Sequence, residues 1–84
     1  MLPTFSRVRV FVYSEPCDMR SGISGLTGLV RSGMNQDPLN GHCYCFLNRR
    51  RNQVKVLYWD RSGYCIWMKK LTKGTFTYPE WRST

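Results

Sequence analysis

Apolar and polar positions alternate cleanly in RVRVFVY, residues 7–13. In an extended chain Val8, Val10 and Val12 fall on one side, and Arg7, Arg9, Phe11 and Tyr13 on the other. The pattern predicts a half-buried strand, broken by SEPCD. In the stretch that follows, DMRSGISGLTGLVRSG, the period changes. Met19, Ile23, Leu26 and Val30 are spaced 4, 3 and 4, which marks one face of a helix. Asp18 is placed to cap its start and Gly33 to end it. Gly22, Gly25 and Gly28 each cost up to ~1 kcal/mol relative to alanine inside a helix, so packing must hold this one together. Gly22 and Gly25 beside the apolar stripe would permit close approach to a sheet. Arg20, Ser24, Thr27 and Arg31 form a second stripe, expected to face water.

NQDPLNGH carries Asp-Pro and Asn-Gly turn signals and reads as a loop. CYCFLN and QVKVLYW then read as two strands of a hairpin joined by RRRN. DRSG is a second turn, and the apolar, aromatic run YCIWMKKL favours a further strand. TKG turns again, and TFTYP is expected to add a short edge strand closed by Pro79. The expected fold is α+β: a small antiparallel sheet of four to five strands with one helix packed on one face. The core face is assigned to Val8, Val10, Val12, Val54, Val56, Tyr58, Ile66 and Met68. The other face then carries Arg7, Arg9, Lys55 and Lys69 among Phe11, Trp59 and Trp67.

Charge gives that second face a meaning. The chain has 84 residues and a net charge of +8. Residues 49–73 hold eight basic groups against Asp60 alone, a net of +7. Such concentration suggests a polyanionic partner. Cations interleaved with rings suit nucleic acid, neutralising phosphates and stacking on bases. The expected contacts are Arg49, Arg50 and Arg51 at the hairpin tip, with Lys55, Arg7, Arg9, Arg20, Trp59, Lys69 and Lys70. A second reading of Trp59 and Trp67 also stands: a small core under the C-terminal tail.

Other chemistries find little support. The chain has one histidine, His42, and five scattered carboxylates. Those acids would have to converge from a larger scaffold to hold two metals. GISGLTG lacks the Gly-Lys-Ser/Thr ending of a phosphate-binding loop. A cysteine nucleophile would have only His42 as its base. Cys43 and Cys45 face the same side of a strand with His42 beside them, which a metal could use. Two well-spaced ligand pairs are missing, however, and such cysteines more often serve as small core hydrophobes. With Cys17 and Cys65 they are expected as free thiols, so no enzyme activity, metal, cofactor or small-molecule substrate is expected. MLPTFSRVRV has no apolar run of signal-peptide length, and no segment is apolar enough to span a membrane. The expected location is the cytoplasm, with reduced thiols.

Specific motifs run through most of the chain. They are Asp18-Met19-Arg20, Gly22-Ile23, Gly25-Leu26, Phe46, Asn48-Arg49-Arg50, Lys55, Leu57-Tyr58-Trp59-Asp60, Gly63-Tyr64, Lys69-Lys70-Leu71 and Gly74-Thr75-Phe76. In this order, from about Val8 to Pro79, the chain resembles the small TnpB accessory protein of bacterial transposons of the insertion sequence 66 family. Cys43 and Cys45 stand where that family usually has plain hydrophobes. Its members commonly continue past the closing Trp/Tyr-Pro region. Residues 1–84 are therefore expected to form one domain lacking the family's C-terminal tail. The resemblance implies a role in transposition beside a separate, larger transposase. Two functions then remain: an accessory factor that binds DNA through its basic hairpin, or an adaptor that docks on the transposase without binding DNA itself.

Overall fold

The computed structural model describes residues 8–80. Along the chain run strand β1 (Val10–Val12), helix α1 (Ile23–Gly28), a π-helical continuation of that helix (Leu29–Gly33), and strands β2 (Cys43–Leu47), β3 (Gln53–Asp60) and β4 (Gly63–Lys70). The strands form one sheet in the order β1-β2-β3-β4. The α+β class, the strand number and the single packed helix are as expected from the sequence. One pairing differs. β2–β3 and β3–β4 are antiparallel hairpins, but β1 runs parallel to β2, with Val10 opposite Cys43 and Val12 opposite Cys45. A parallel pair needs a long crossover, and α1 lies within it. TFTYP forms no strand. After β4 the chain folds back to the first hairpin, where the Leu71 N–H donates to the Asn52 carbonyl (2.7 Å) and the Phe76 N–H to the Arg51 carbonyl (2.6 Å).

The helix begins later than its apolar spacing suggests. Gly22 is its N-cap, and no side chain caps it. Asp18 instead closes a turn, accepting from the Arg20 N–H at 2.8 Å. The Met34 N–H reaches back five residues to the Leu29 carbonyl (3.0 Å). That wider turn carries one extra residue. Leu26, Val30 and Met34 face the core, while Ile23, which precedes the wider turn, is 45% exposed. Thr27, expected in water, is buried and donates its hydroxyl to the Ser24 carbonyl. Arg20, Ser24 and Arg31 are exposed, as their stripe implies. The close approach to a sheet residue occurs at neither Gly22 nor Gly25: a Cβ on Gly33 would lie 3.0 Å from the Tyr13 ring.

The face assignment made from the sequence is inverted for β1 and β3. Residues opposite one another on paired strands share a face. Phe11, Tyr44, Leu57 and Ile66 form one row across the sheet, and Phe46, Lys55 and Met68 a second. These rows meet the helix, where Leu26, Val30, Met34, Tyr44, Phe46, Leu57 and Cys17 make the buried cluster. Full burial of a residue such as Leu26 or Leu57 is worth about 1.5–3 kcal/mol. Ile66 was assigned to the core under the helix correctly; Met68 lies on that side of the sheet but is 55% exposed, not core. Val10, Val12, Val54, Val56 and Tyr58 lie on the opposite face, and Val8 precedes β1, half-buried. In VFVY the larger Phe11 and Tyr13 fill the space under the helix, and in β3 the wholly apolar Leu57 does so in place of Tyr58, whose hydroxyl faces the other side. No helix among the described residues is long and apolar enough to cross a membrane.

Candidate nucleic-acid interface

The first hairpin loop is held by asparagines rather than arginines. The Asn48 Oδ1 accepts from the N–H groups of Asn52 and Gln53, both at 3.0 Å, and its Nδ2 donates to the Asn52 Oδ1 at 2.6 Å. The Arg51 N–H donates to the Asn48 carbonyl, and Arg51 adopts a left-handed φ of 57°. The backbone is thus fixed from inside, and Arg49, Arg50 and Arg51 all project exposed from it.

The β3–β4 register enlarges this basic tip. Gln53 lies opposite Lys70 and Val54 opposite Lys69, so both exposed lysines stand at the loop's end of the sheet. The hydrogen bonds from Leu71 and Phe76 to Asn52 and Arg51 bring the exposed Lys73 to the same end. Lys73 was not singled out from the sequence; carrying the hairpin register back from Gln53 into the loop, past Lys70 on the other strand, would have found it. Arg49 also lines a cleft of about 270 Å³ with Pro16, Cys17 and Asp18. Asp18 is the one carboxylate so placed among these described groups, and Arg20 neutralises it. The ion pair is 2.7 Å long, and the hydrogen bonds from Arg20 hold the Asp18 carboxyl at about 2. The same pairing raises Arg20.

Other expected contacts fall elsewhere. Lys55 lies on the helix face, half-buried, and its Nζ donates to the Ser21 carbonyl at 2.9 Å. Trp59 is on that face too, packed edge-on against Tyr64 with ring centroids 5.0 Å apart. Trp67 is on the opposite face and 53% exposed, so the two tryptophans share no second core. Arg9 is at the far end of the sheet, where its N–H donates to the His42 Nδ1. Arg61 is in the turn between β3 and β4, also far from the loop. Arg7 lies outside the described residues. The charge concentrated in residues 49–73 is therefore divided. Arg49, Arg50, Arg51, Lys69, Lys70 and Lys73 share one end, Lys55 is tied to the helix segment, and Arg61 sits at the other end.

The thiols do not gather into a ligand set. Cys17 is buried on the helix side, while Cys43, Cys45 and Cys65 line the opposite face, half-buried. Burial raises the thiols of Cys17 and Cys43 and pushes Cys45 up to about 11. A hydrogen bond to Cys65 raises the Tyr58 hydroxyl. Among the described residues no group of three or more His, Cys, Asp or Glu side chains could hold a metal ion.

A family model described as IS66 Orf2 like protein matches residues 8–84. Two proteins of Sinorhizobium fredii, named only as uncharacterized proteins y4jC and y4hO, are similar to the chain. The first is 36% identical over 72 residues, covering 86% of this chain and 62% of its own length. The second is 34% identical over 79 residues, covering 94% and 69%. The chain thus spans about two thirds of the length of these relatives. No solved structure matches it.

Proposed function

The chain belongs to the IS66 Orf2-like family, which makes it a transposition-associated accessory protein, and from that premise we propose that it works by binding DNA through the basic end of its sheet. The observation that carries this reading is the division of labour in the first hairpin loop. Asn48 and Asn52 hold the backbone, so Arg49, Arg50 and Arg51 are left exposed, with Lys69, Lys70 and Lys73 beside them. Six cations at one end of so small a domain repel one another in isolation. Phosphates would relieve that repulsion and release counterions. The role is non-catalytic and intracellular, beside the element's transposase, and it contacts the backbone of DNA with little preference for sequence.

The test is a gel-shift salt titration of the protein against its Arg49→Ala, Arg50→Ala, Arg51→Ala triple variant. Wild type should lose affinity steeply with salt, and the variant should bind every sequence more weakly. Its log–log salt slope should be smaller by about 0.9 for each phosphate that the arginines no longer neutralise. A variant that binds as well as wild type would sink the proposal. So would a wild type with no affinity at low salt; binding to transposase alone would then point to an adaptor.

A further inference from the structure

Resting on that reading of the basic end, we infer that the face opposite the helix carries a stacking platform at Trp67 and that the ligand is single-stranded DNA. The row Val12, Cys45, Val56, Trp67 crosses the whole sheet on this face. Exposure rises along it, from 6% at Val12 to 53% at Trp67. β4 is an edge strand of the sheet, so the indole has Val56 on one side and no neighbouring strand on the other. A large aromatic ring left uncovered at a sheet edge loses burial energy and invites pairing with other chains.

The surrounding charge indicates what covers it. Lys69 is two residues further along the same face, about 7 Å away, and exposed. Four residues beyond Trp67, about 13 Å along the chain, Leu71 is hydrogen-bonded to Asn52 in the arginine loop. An aromatic ring thus leads into a track of cations. That order suits a strand whose bases stack while its phosphates are neutralised. A stacking indole needs an unpaired base, because both faces of a base inside a duplex are already occupied. Trp59 cannot substitute, being edge-packed on Tyr64 on the helix side.

Fluorescence anisotropy with a labelled oligothymidine strand and a duplex of the same length separates the possibilities. The proteins are wild type, Trp67→Ala and Trp67→Phe, each checked by thermal melt. Wild type should bind the single strand more tightly than the duplex at equal salt. Trp67→Ala should lose about tenfold or more of its single-strand affinity, with duplex affinity changed less than about twofold. Trp67→Phe should recover most of the loss. Unchanged single-strand binding in Trp67→Ala would overturn the inference while leaving the basic end as a DNA surface. An equal loss on strand and duplex would also overturn it, as would a wild type that prefers the duplex. A wild type that binds neither removes the DNA reading as well.

Discussion

The two faces of the sheet are built from similar strands and do different work. The helix side is closed at its centre, though open at its β4 edge where Met68 is 55% exposed: Leu26, Val30, Tyr44, Phe46 and Leu57 are fully buried, and even Lys55 is tied down through the Ser21 carbonyl. The opposite side is only partly closed. Val12, Leu47 and Val54 are buried, but Val10 is 46% and Trp67 53% exposed, and three thiols lie among them. One face holds the stability of a domain with little to spare. The other leaves apolar and basic groups available to a partner.

The sharpest test of the contrast pairs Leu57→Ala with Val10→Ala. Leu57→Ala leaves a cavity in the closed centre of the helix side and should cost about 2–5 kcal/mol, whereas Val10→Ala should cost less than about 1 kcal/mol. Thermal melts compare them directly, and equal losses would mean that the second face is closed as well. Two aspartates then probe how far the cover reaches. Val54→Asp buries an unpaired charge and should unfold most of the protein, while Val56→Asp, half-buried, should leave a folded fraction by circular dichroism. Third, Lys55→Ala should lower stability by about 1–2 kcal/mol by removing the packing of its stem and a charged hydrogen bond, yet leave DNA affinity nearly unchanged. A DNA defect as large as that of the arginine triple variant would return Lys55 to the interface.

The smallest effect concerns the thiols. With its folded value raised to about 11, Cys45 should alkylate far more slowly at pH 8 than after unfolding, as read by mass spectrometry of the modified peptides. The sign for stability follows. The contribution is fully present below the ordinary thiol value near 9 and is lost as pH rises from there towards 11, because the unfolded thiol ionises first. Rapid alkylation of native Cys45 would show that this face opens more than its burial implies.

The strands and turns of the β2–β4 meander were legible because their signals are local. β-Branched and aromatic runs are bounded by Asn48–Asn52 and by Asp60–Gly63, and the arginine tip was placed on the right loop. Which face met the helix was not legible. Both parities of VFVY and QVKVLYW are largely apolar, so alternation could not choose between them. Lys55 argued for the wrong face, because a long aliphatic stem can lie on a core while its ammonium finds a carbonyl. The helix face was also misread at Ile23 and Thr27: Thr27 is buried because its hydroxyl donates to the Ser24 carbonyl, so its polarity did not mark the side that meets water. Of the expected contacts, those near the loop in register gather, whereas Lys55, Trp59 and Arg9 scatter. Proximity along the chain carries no information about which end of an eight-residue strand a side chain occupies.

The parallel pairing of β1 with β2 bears on how the molecule assembles. Val10 meets Cys43 across 33 residues of chain, whereas the partners in the β2–β3 and β3–β4 hairpins are joined by short connections. Closing a loop about five to eleven times longer costs roughly 1.5–2 kcal/mol more in chain entropy, and β1 recovers little of it with three residues. The meander therefore forms first, and β1 docks last, once the helix has drawn the ends together. Run backwards, the same order makes β1 the first strand to leave. Its amides should exchange with solvent ahead of those of β3 in the native protein, releasing one edge of the sheet while the arginine loop stays intact.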